Sequence, residues 1–186
     1  MFEFLAGIEA EIVLSFNHAS SFLNRNFWKF ITREIYAVPI VLGLVFLALR
    51  NKSGREALWI FIKSSLLVSL CSLSTSFAKI GFQRLRPLND IELKNTLDIV
   101  IEASSYSFWS GHAAVSICIT FCVWYFTKSS WAIALLVWAV LFSISRLFLA
   151  AHYPSDILIG CIVGWTFAFI GVKLLSNKPS AFSAQH

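Results

Sequence analysis

Five stretches of this chain carry no charged residue: Ile35–Leu49, Ser64–Ala78, Ala113–Thr127, Ser129–Ser145 and Ile157–Val172. Each is 15–17 residues long. As helices they would span roughly 22–26 Å, a little short of the ~30 Å hydrocarbon core of a bilayer. Apolar flanks such as Phe108 and Trp109 lengthen the runs, and Lys63, Lys79 and Arg146 can snorkel toward headgroups. With 58% hydrophobic and 13% charged residues among 186, a soluble domain could not hide so much apolar surface. The runs also lack the charged face of a helix lying on a soluble core. The expected architecture is an all-α integral membrane protein, a bundle of five to six transmembrane helices with an amphipathic N-terminal region.

Residues 1–33 supply that region. Glu3, Glu9 and Glu11 sit among Phe2, Phe4, Leu5, Ile8 and Ile12, and Arg25, Lys29 and Arg33 follow Phe22, Leu23, Phe27 and Trp28. This pattern predicts one or two helices lying at the membrane interface, with a short tilted sixth span as the alternative. An acidic start does not suit a signal peptide. Residues 34–175 form the membrane-embedded domain, and 176–186 read as a polar, disordered tail. The one long connection, Lys79 to Ser110, is of the kind that carries function, and Ile91–Ile101 within it can form a short helix.

Composition also narrows the partners. The net charge is +5, which in a membrane protein concerns topology and lipid headgroups before nucleic acid. No basic stripe interleaved with aromatics marks a nucleic-acid surface. The expected partners are the bilayer and a lipid substrate; oligomeric state leaves no mark in the sequence. Cys71, Cys118, Cys122 and Cys161 all lie inside apolar runs without CxxC spacing, so they read as buried thiols rather than a disulfide or metal site.

If the five runs alternate in direction, one membrane face collects the reactive residues. Lys79 closes the second run, His112 opens the third, Arg146 closes the fourth and Asp156 opens the fifth. The intervening loops add Arg86, Ser110 and His152. A small transporter would instead spread ionisable groups through the membrane depth. Groups gathered at one rim suit an enzyme acting on a headgroup.

Three segments carry the chemistry. In Lys79-Ile-Gly-Phe-Gln-Arg-Leu-Arg86-Pro87, a seven-residue spacing would place both cations on one helix face before Pro87 ends the element. Converging cations suit a doubly charged oxyanion, although interfacial anchoring fits Lys79 and Arg86 as well, and fits Arg84 better. In Ser110-Gly111-His112, the Ser can cap a helix, the Gly admits close backbone approach and the His can move a proton; a polar anchor is the plainer alternative for the His. The third segment runs from Ser145-Arg146 through His152 to Asp156. There a carboxylate in the first turn of the fifth run can accept one imidazole N–H and free the other nitrogen as a nucleophile, or merely cap its own helix.

Together the segments resemble the type 2 phosphatidic acid phosphatase superfamily, whose signature is Lys-x6-Arg-Pro, Pro-Ser-Gly-His and Ser-Arg-x5-His-x3-Asp. The first and third parts are intact here, and the second reads Trp109-Ser110-Gly111-His112, with Trp in place of the usual Pro. The resemblance runs from about Ser64 to Val172. It implies metal- and cofactor-independent phosphoryl transfer, with His152 as nucleophile, Asp156 orienting it and His112 as general acid and base. Lys79, Arg86, Ser110, Gly111 and Arg146 would bind the phosphoryl oxygens. Soluble vanadium haloperoxidases share the signature, but five apolar runs do not fit them.

Among membrane members the chain looks most like bacterial undecaprenyl pyrophosphate phosphatases. Lipid A, phosphatidylglycerophosphate and phosphatidic acid phosphatases, and lipid phosphotransferases, are the alternatives. The lipid-facing pocket is expected to involve Phe77, Phe82, Tyr106, Phe108 and Trp109. Seven Lys/Arg (Arg50, Lys52, Arg55, Lys63, Lys128, Lys173, Lys178) face away from the site and eight share its side. Setting aside Lys79, Arg86 and Arg146 as ligands leaves five on the site side, which favours a site facing the exterior or periplasm of a cytoplasmic membrane.

Overall fold

A computed structural model describes residues 2–22 and 25–176, which hold helices and no strand. The predicted tail lies, from residue 177 onward, outside the described residues. In chain order the helices are α1 (Phe2–Phe22), α2 (Arg25–Thr32), α3 (Glu34–Leu49), α4 (Gly54–Phe82), α5 (Ile91–Lys94), α6 (Gly111–Thr127), α7 (Trp131–Phe148) and α8 (Pro154–Ser176), with a 3₁₀ turn at Pro87–Asn89.

Helices α4, α7 and α8 are long and apolar enough to cross a membrane. Helices α2 and α3 together make a fourth candidate span, bent by 60°. The 17-residue α6 is apolar but shorter. Three to four candidate spans thus stand where five to six were expected. The physical reason is local: α6 is stopped at both ends, by the Ser110 cap and by left-handed Lys128 (φ 53°). It is the inner helix of the bundle, packed on α4, α7 and α8.

Small residues let those helices close. Leu67 and Cys71 of α4, Ala114, Cys118 and Cys122 of α6, and Ala168 and Val172 of α8 form one buried cluster. A Cβ placed on Gly164 would lie 2.1 Å from the Ala114 carbonyl oxygen, and one on Gly160 would lie 2.6 Å from that of Ser110. Only glycine fits at either position, and α8 therefore lies directly against the head of α6.

Helix α1 packs on α7 and α8. Val13 is fully buried among Leu88, Leu97, Ala150, Ala151 and Tyr153. Asn17 donates to the Phe148 carbonyl (3.0 Å) and accepts from the Asp98 backbone N–H (2.8 Å). Its side chain thus ties α1 to the end of α7 and to the long connection. Trp28 of α2 stacks on Phe148 at 3.9 Å. Within the long connection the expected Ile91–Ile101 helix shrinks to the single turn of α5, because Leu97 leaves the helical path to join the buried cluster beneath α1.

Candidate active site

Four helix ends and two connections converge at one end of the bundle. Lys79 lies in the last turn of α4, His112 in the first turn of α6, Arg146 in the last turn of α7 and Asp156 in the first turn of α8. His112 is within electrostatic reach of Arg146, His152, Lys79 and Arg86. All eight residues singled out from the sequence meet at this end of the bundle.

Lys79 and Arg86 do not share a helix face, as their spacing suggested. Gln83 adopts the left-handed conformation (φ 47°) and its N–H bonds back to the Lys79 carbonyl, so α4 ends four residues before Pro87. Arg86 then sits in extended backbone. It donates from Nε to the Ser105 carbonyl (2.7 Å), from Nη2 to Ser105 Oγ (2.8 Å) and from Nη1 to the Ala151 carbonyl (2.9 Å). The same Nη1 lies 3.3 Å from His152 Nε2.

Arg146 is 7% exposed, and one of its Nη groups donates to Thr32 Oγ1. Its Nε–H is buried without a hydrogen-bond partner among the described residues. Neither Arg146, nor Arg86 at 4% exposure, nor half-buried Lys79 forms an ion pair with a carboxylate among the described residues. Burying cations unpaired is costly. Glu34 acts on Arg146, and Asp156 on Lys79 and Arg86, only from beyond ion-pair distance, so the three cations keep donor capacity for an anion.

The turn after α7 carries His152. Ala150 is left-handed (φ 50°), and Ala151 N–H bonds to the Arg146 carbonyl (2.9 Å), which folds the chain tightly enough to bury the imidazole. Burial, reinforced by the guanidinium groups of Arg86 and Arg146, pushes His152 well below the ordinary histidine pKa, against the pull of Asp156. The ring is therefore neutral at pH 7, as a nucleophile must be.

Asp156 does not take the imidazole N–H directly. Its Oδ2 lies 3.7 Å from His152 Nδ1, and Ser107 bridges the gap. Ser107 Oγ is 3.3 Å from Nδ1 and donates a short hydrogen bond to Oδ2. That order fixes the tautomer with Nδ1–H toward Ser107 and the Nε2 lone pair toward Arg86. Asp156 also accepts the Tyr153 N–H (3.0 Å), so it caps α8 as well. Ser110 accepts the Ala113 N–H (3.5 Å) and donates its own backbone N–H to the Asp156 carbonyl (3.0 Å), tying α6 to α8.

Three participants escaped the sequence reading: Ser107, Glu9 and Arg84. Rather than anchoring at the interface, Arg84 bonds Asp156 Oδ1 (2.8 Å) and Glu9 Oε2 (2.7 Å). No periodic pattern marks a lone Ser in a loop or a Glu 75 residues upstream of its partner. A cavity of about 490 Å³ runs inward from Lys79, Gly111 and His112 along Val41, Leu42, Ile119 and Trp138, with Glu34 also on its wall. The five aromatic residues expected to line it lie elsewhere. Phe77 and Phe82 are two-thirds exposed, Phe82 packs on Phe108, and Trp109 donates its indole N–H to Thr75 Oγ1 (3.0 Å). The wall comes instead from α3, α4, α6 and α7, with α3 leaning on α7.

Known proteins resemble this chain in sequence and in fold. A lipid A 4'-phosphatase of Bacteroides thetaiotaomicron is 30% identical over 97% of this chain and 84% of its own length. An undecaprenyl-diphosphatase of Sulfolobus acidocaldarius is 29% identical over 69% of each chain. The crystal structure of a transmembrane PAP2-type phosphatidylglycerolphosphate phosphatase from Bacillus subtilis superposes with a TM-score of 0.72, at 19% identity, over 95% of this chain and 89% of that one. The signature of the PAP2 superfamily matches residues 57–180, and the chain belongs to that family.

Proposed function

We propose that this protein removes a phosphate monoester from a membrane lipid through a phosphohistidine on His152, with a lipid A-type glycolipid as substrate. The family, the lipid-phosphatase relatives and helices long and apolar enough to cross a membrane together make it an integral membrane phosphohydrolase acting on lipids. The observation that carries the mechanism is the cation set of buried Arg86 and Arg146 and half-buried Lys79, with a free Nε–H on Arg146 and no carboxylate in ion-pair contact among the described residues. A phosphate dianion supplies the missing charge and accepts those donors.

In this reading His152 Nε2 attacks phosphorus and the ester P–O bond breaks. The leaving oxygen takes a proton from His112. Water then attacks the phosphohistidine, His112 takes its proton, and the P–N bond breaks to release phosphate. Ser110 and the Gly111 N–H join the cations around the phosphoryl oxygens, at a helix start that favours anions. The apolar cavity holds the lipid end. Helices α3, α4, α6, α7 and α8 serve as five spans, and α1 and α2 lie at the interface on the site side, facing the exterior of the cytoplasmic membrane.

Two observations favour a monoester on a sugar headgroup over the polyprenyl pyrophosphate expected from the sequence. The relative matched over nearly the whole chain is a lipid A 4'-phosphatase. Glu34 shares the cavity wall with Lys79 and His112; its carboxylate repels a second phosphate and accepts hydrogen bonds from hydroxyl or amide groups. Undecaprenyl pyrophosphate stands as the second reading because an undecaprenyl-diphosphatase is also a relative.

The test is phosphate release in detergent with EDTA present, on lipid A, undecaprenyl pyrophosphate, phosphatidylglycerophosphate and phosphatidic acid. The fastest turnover is expected on lipid A, and His152→Ala is expected to be inactive on all four. An active His152→Ala protein, or a requirement for Mg²⁺, overturns the mechanism. Preference for the pyrophosphate overturns the substrate. Labelling of Asn89→Cys in intact cells by an impermeant thiol reagent checks the orientation, and labelling only after lysis reverses it.

A further inference from the structure

Arg84 and Arg86 are two residues apart in the connection after α4, yet they face different partners. Arg86 meets carbonyls, a serine and the nucleophile. Arg84 is flanked by two carboxylates, Glu9 Oε2 at 2.7 Å and Asp156 Oδ1 at 2.8 Å. It also donates to Ser155 Oγ (2.8 Å), and its guanidinium lies over the Tyr153 ring at 4.2 Å. With its charge balanced in this way, Arg84 has no place in the phosphate cradle. Its fork spans two acids that come from opposite ends of the chain.

Each acid divides its oxygens between two tasks. Glu9 gives Oε2 to Arg84 and Oε1 to the Ser155 N–H (2.9 Å) in the first turn of α8. Asp156, with a fully buried side chain, gives Oδ1 to Arg84 and Oδ2 to Ser107 and the Tyr153 N–H. A carboxylate held at Oδ1 cannot rotate about its Cβ–Cγ bond. Its Oδ2 is thereby kept on the Ser107 hydroxyl that receives the Nδ1–H of His152. The series Glu9, Arg84, Asp156, Ser107, His152 is continuous from α1 to the attacking ring.

We propose that Arg84, seated by Glu9 of α1, is a positioning residue that locks Asp156 and through it the reactive tautomer and aim of His152. Helix α1 is on this view a working part of the active site, and its seating on α8 is a condition for rapid phosphoryl transfer. Phe4, Leu5 and Ile8 stand exposed on α1, within about one and a half turns of Glu9, so contact with a lipid surface bears directly on that seat. The inference rests on His152 being the nucleophile.

The test compares Arg84→Gln, Glu9→Gln and the double variant in full-length protein, on the four lipids named above. Groups that orient a reacting ligand from behind are typically worth about 10–100-fold. Arg84→Gln is expected to lose kcat by that factor with KM within about 2-fold, because the phosphate cradle is untouched. Glu9→Gln is expected to lose less, and the double variant should match Arg84→Gln alone, since the Gln amide oxygen still accepts the Ser155 N–H and only the charge toward Arg84 is lost. Arg84→Lys, which keeps the charge and loses the fork, should fall between. Multiplying losses in the double variant, a loss confined to KM, or full kcat in Arg84→Gln each overturn the proposal. If Arg84→Gln does not fold, an unchanged kcat in Glu9→Gln and Arg84→Lys overturns it equally. His152→Ala separates the two levels: an active protein removes the nucleophile reading itself, whereas inactive His152→Ala beside fully active Arg84→Gln removes only the role of Arg84.

Discussion

The two ends of the helical bundle both carry cations, and they use them differently. At the end away from the site, Lys128 stands over the Trp124 ring at 4.0 Å, Lys173 over Phe169 at 4.0 Å and Lys63 over Phe126 at 5.8 Å. These are anchors: Lys128 and Lys173 are exposed, and an aromatic face stabilises each charge where apolar helix meets water. At the site end Arg86 and Arg146 are buried, and Arg146 keeps a donor without a partner among the described residues. Residue type does not separate the two sets. Burial without a directly bonded carboxylate does, and it carries a free-energy cost that a bound anion would relieve.

The sharpest way to break this contrast is to remove one cation from each end. Arg146→Gln is expected to lower kcat/KM by about 10²–10³-fold, the usual loss for one preorganised oxyanion donor. Lys173→Gln should leave kcat/KM unchanged, and equal losses at both ends would erase the distinction. Binding without turnover makes the same point. Inorganic phosphate or vanadate at 100 times its Kd should stabilise the wild type by about 2.7 kcal/mol, read as a rise in Tm in detergent, and should stabilise Arg146→Gln far less.

A smaller effect separates shape from charge. Gly164→Val should destabilise the bundle by about 1–3 kcal/mol, because the new side chain meets the Ala114 carbonyl of α6. Thermal melting checks it, and lost activity should track lost fold. The pH response is smaller again. His152 is depressed in the folded protein, so below its ordinary pKa the unfolded chain takes up a proton that the folded one does not. Stability should therefore fall on acidification below about pH 6.5, by up to about 1.4 kcal/mol per pH unit from this group. Subtracting the profile of His152→Gln isolates it; identical slopes would mean that His152 is not held neutral. Smallest of all, Lys128→Gln should cost about 0.5–1 kcal/mol from the lost ring contact, with no change in kcat.

Much of this site is legible along the chain, because helix ends can be read where apolar runs stop. Lys79, His112, Arg146 and Asp156 each stand at such a boundary, and the spacing of the three segments names a family that the signature match confirms. The helix on which Arg86 was expected is not there, because a left-handed Gln83 ends α4 early, a conformation that no residue type at that position announces. Trp109, standing where the family usually has Pro, turns its indole to Thr75 and takes no part in the cavity wall. Glycines 160 and 164, four apart on α8, were a readable signal of close helix contact that apolar-run counting passes over.

Sequence alone determined that the chain lives in a bilayer, that its ionisable groups gather at one rim, and which of them have the chemistry for phosphoryl transfer. These follow from local quantities: the length of uncharged runs, the residues that end them, and the spacing between them. Only the tertiary structure decided that Ser107 stands between His152 and Asp156, that Arg84 bonds the carboxylates while Arg86 meets His152, and that Glu9 of α1 closes the series. Such pairings join residues up to 146 positions apart. They depend on how helices pack and turns bend, and a hydrogen bond is sensitive to differences of a few tenths of an ångström that no pattern of residue types along the chain encodes.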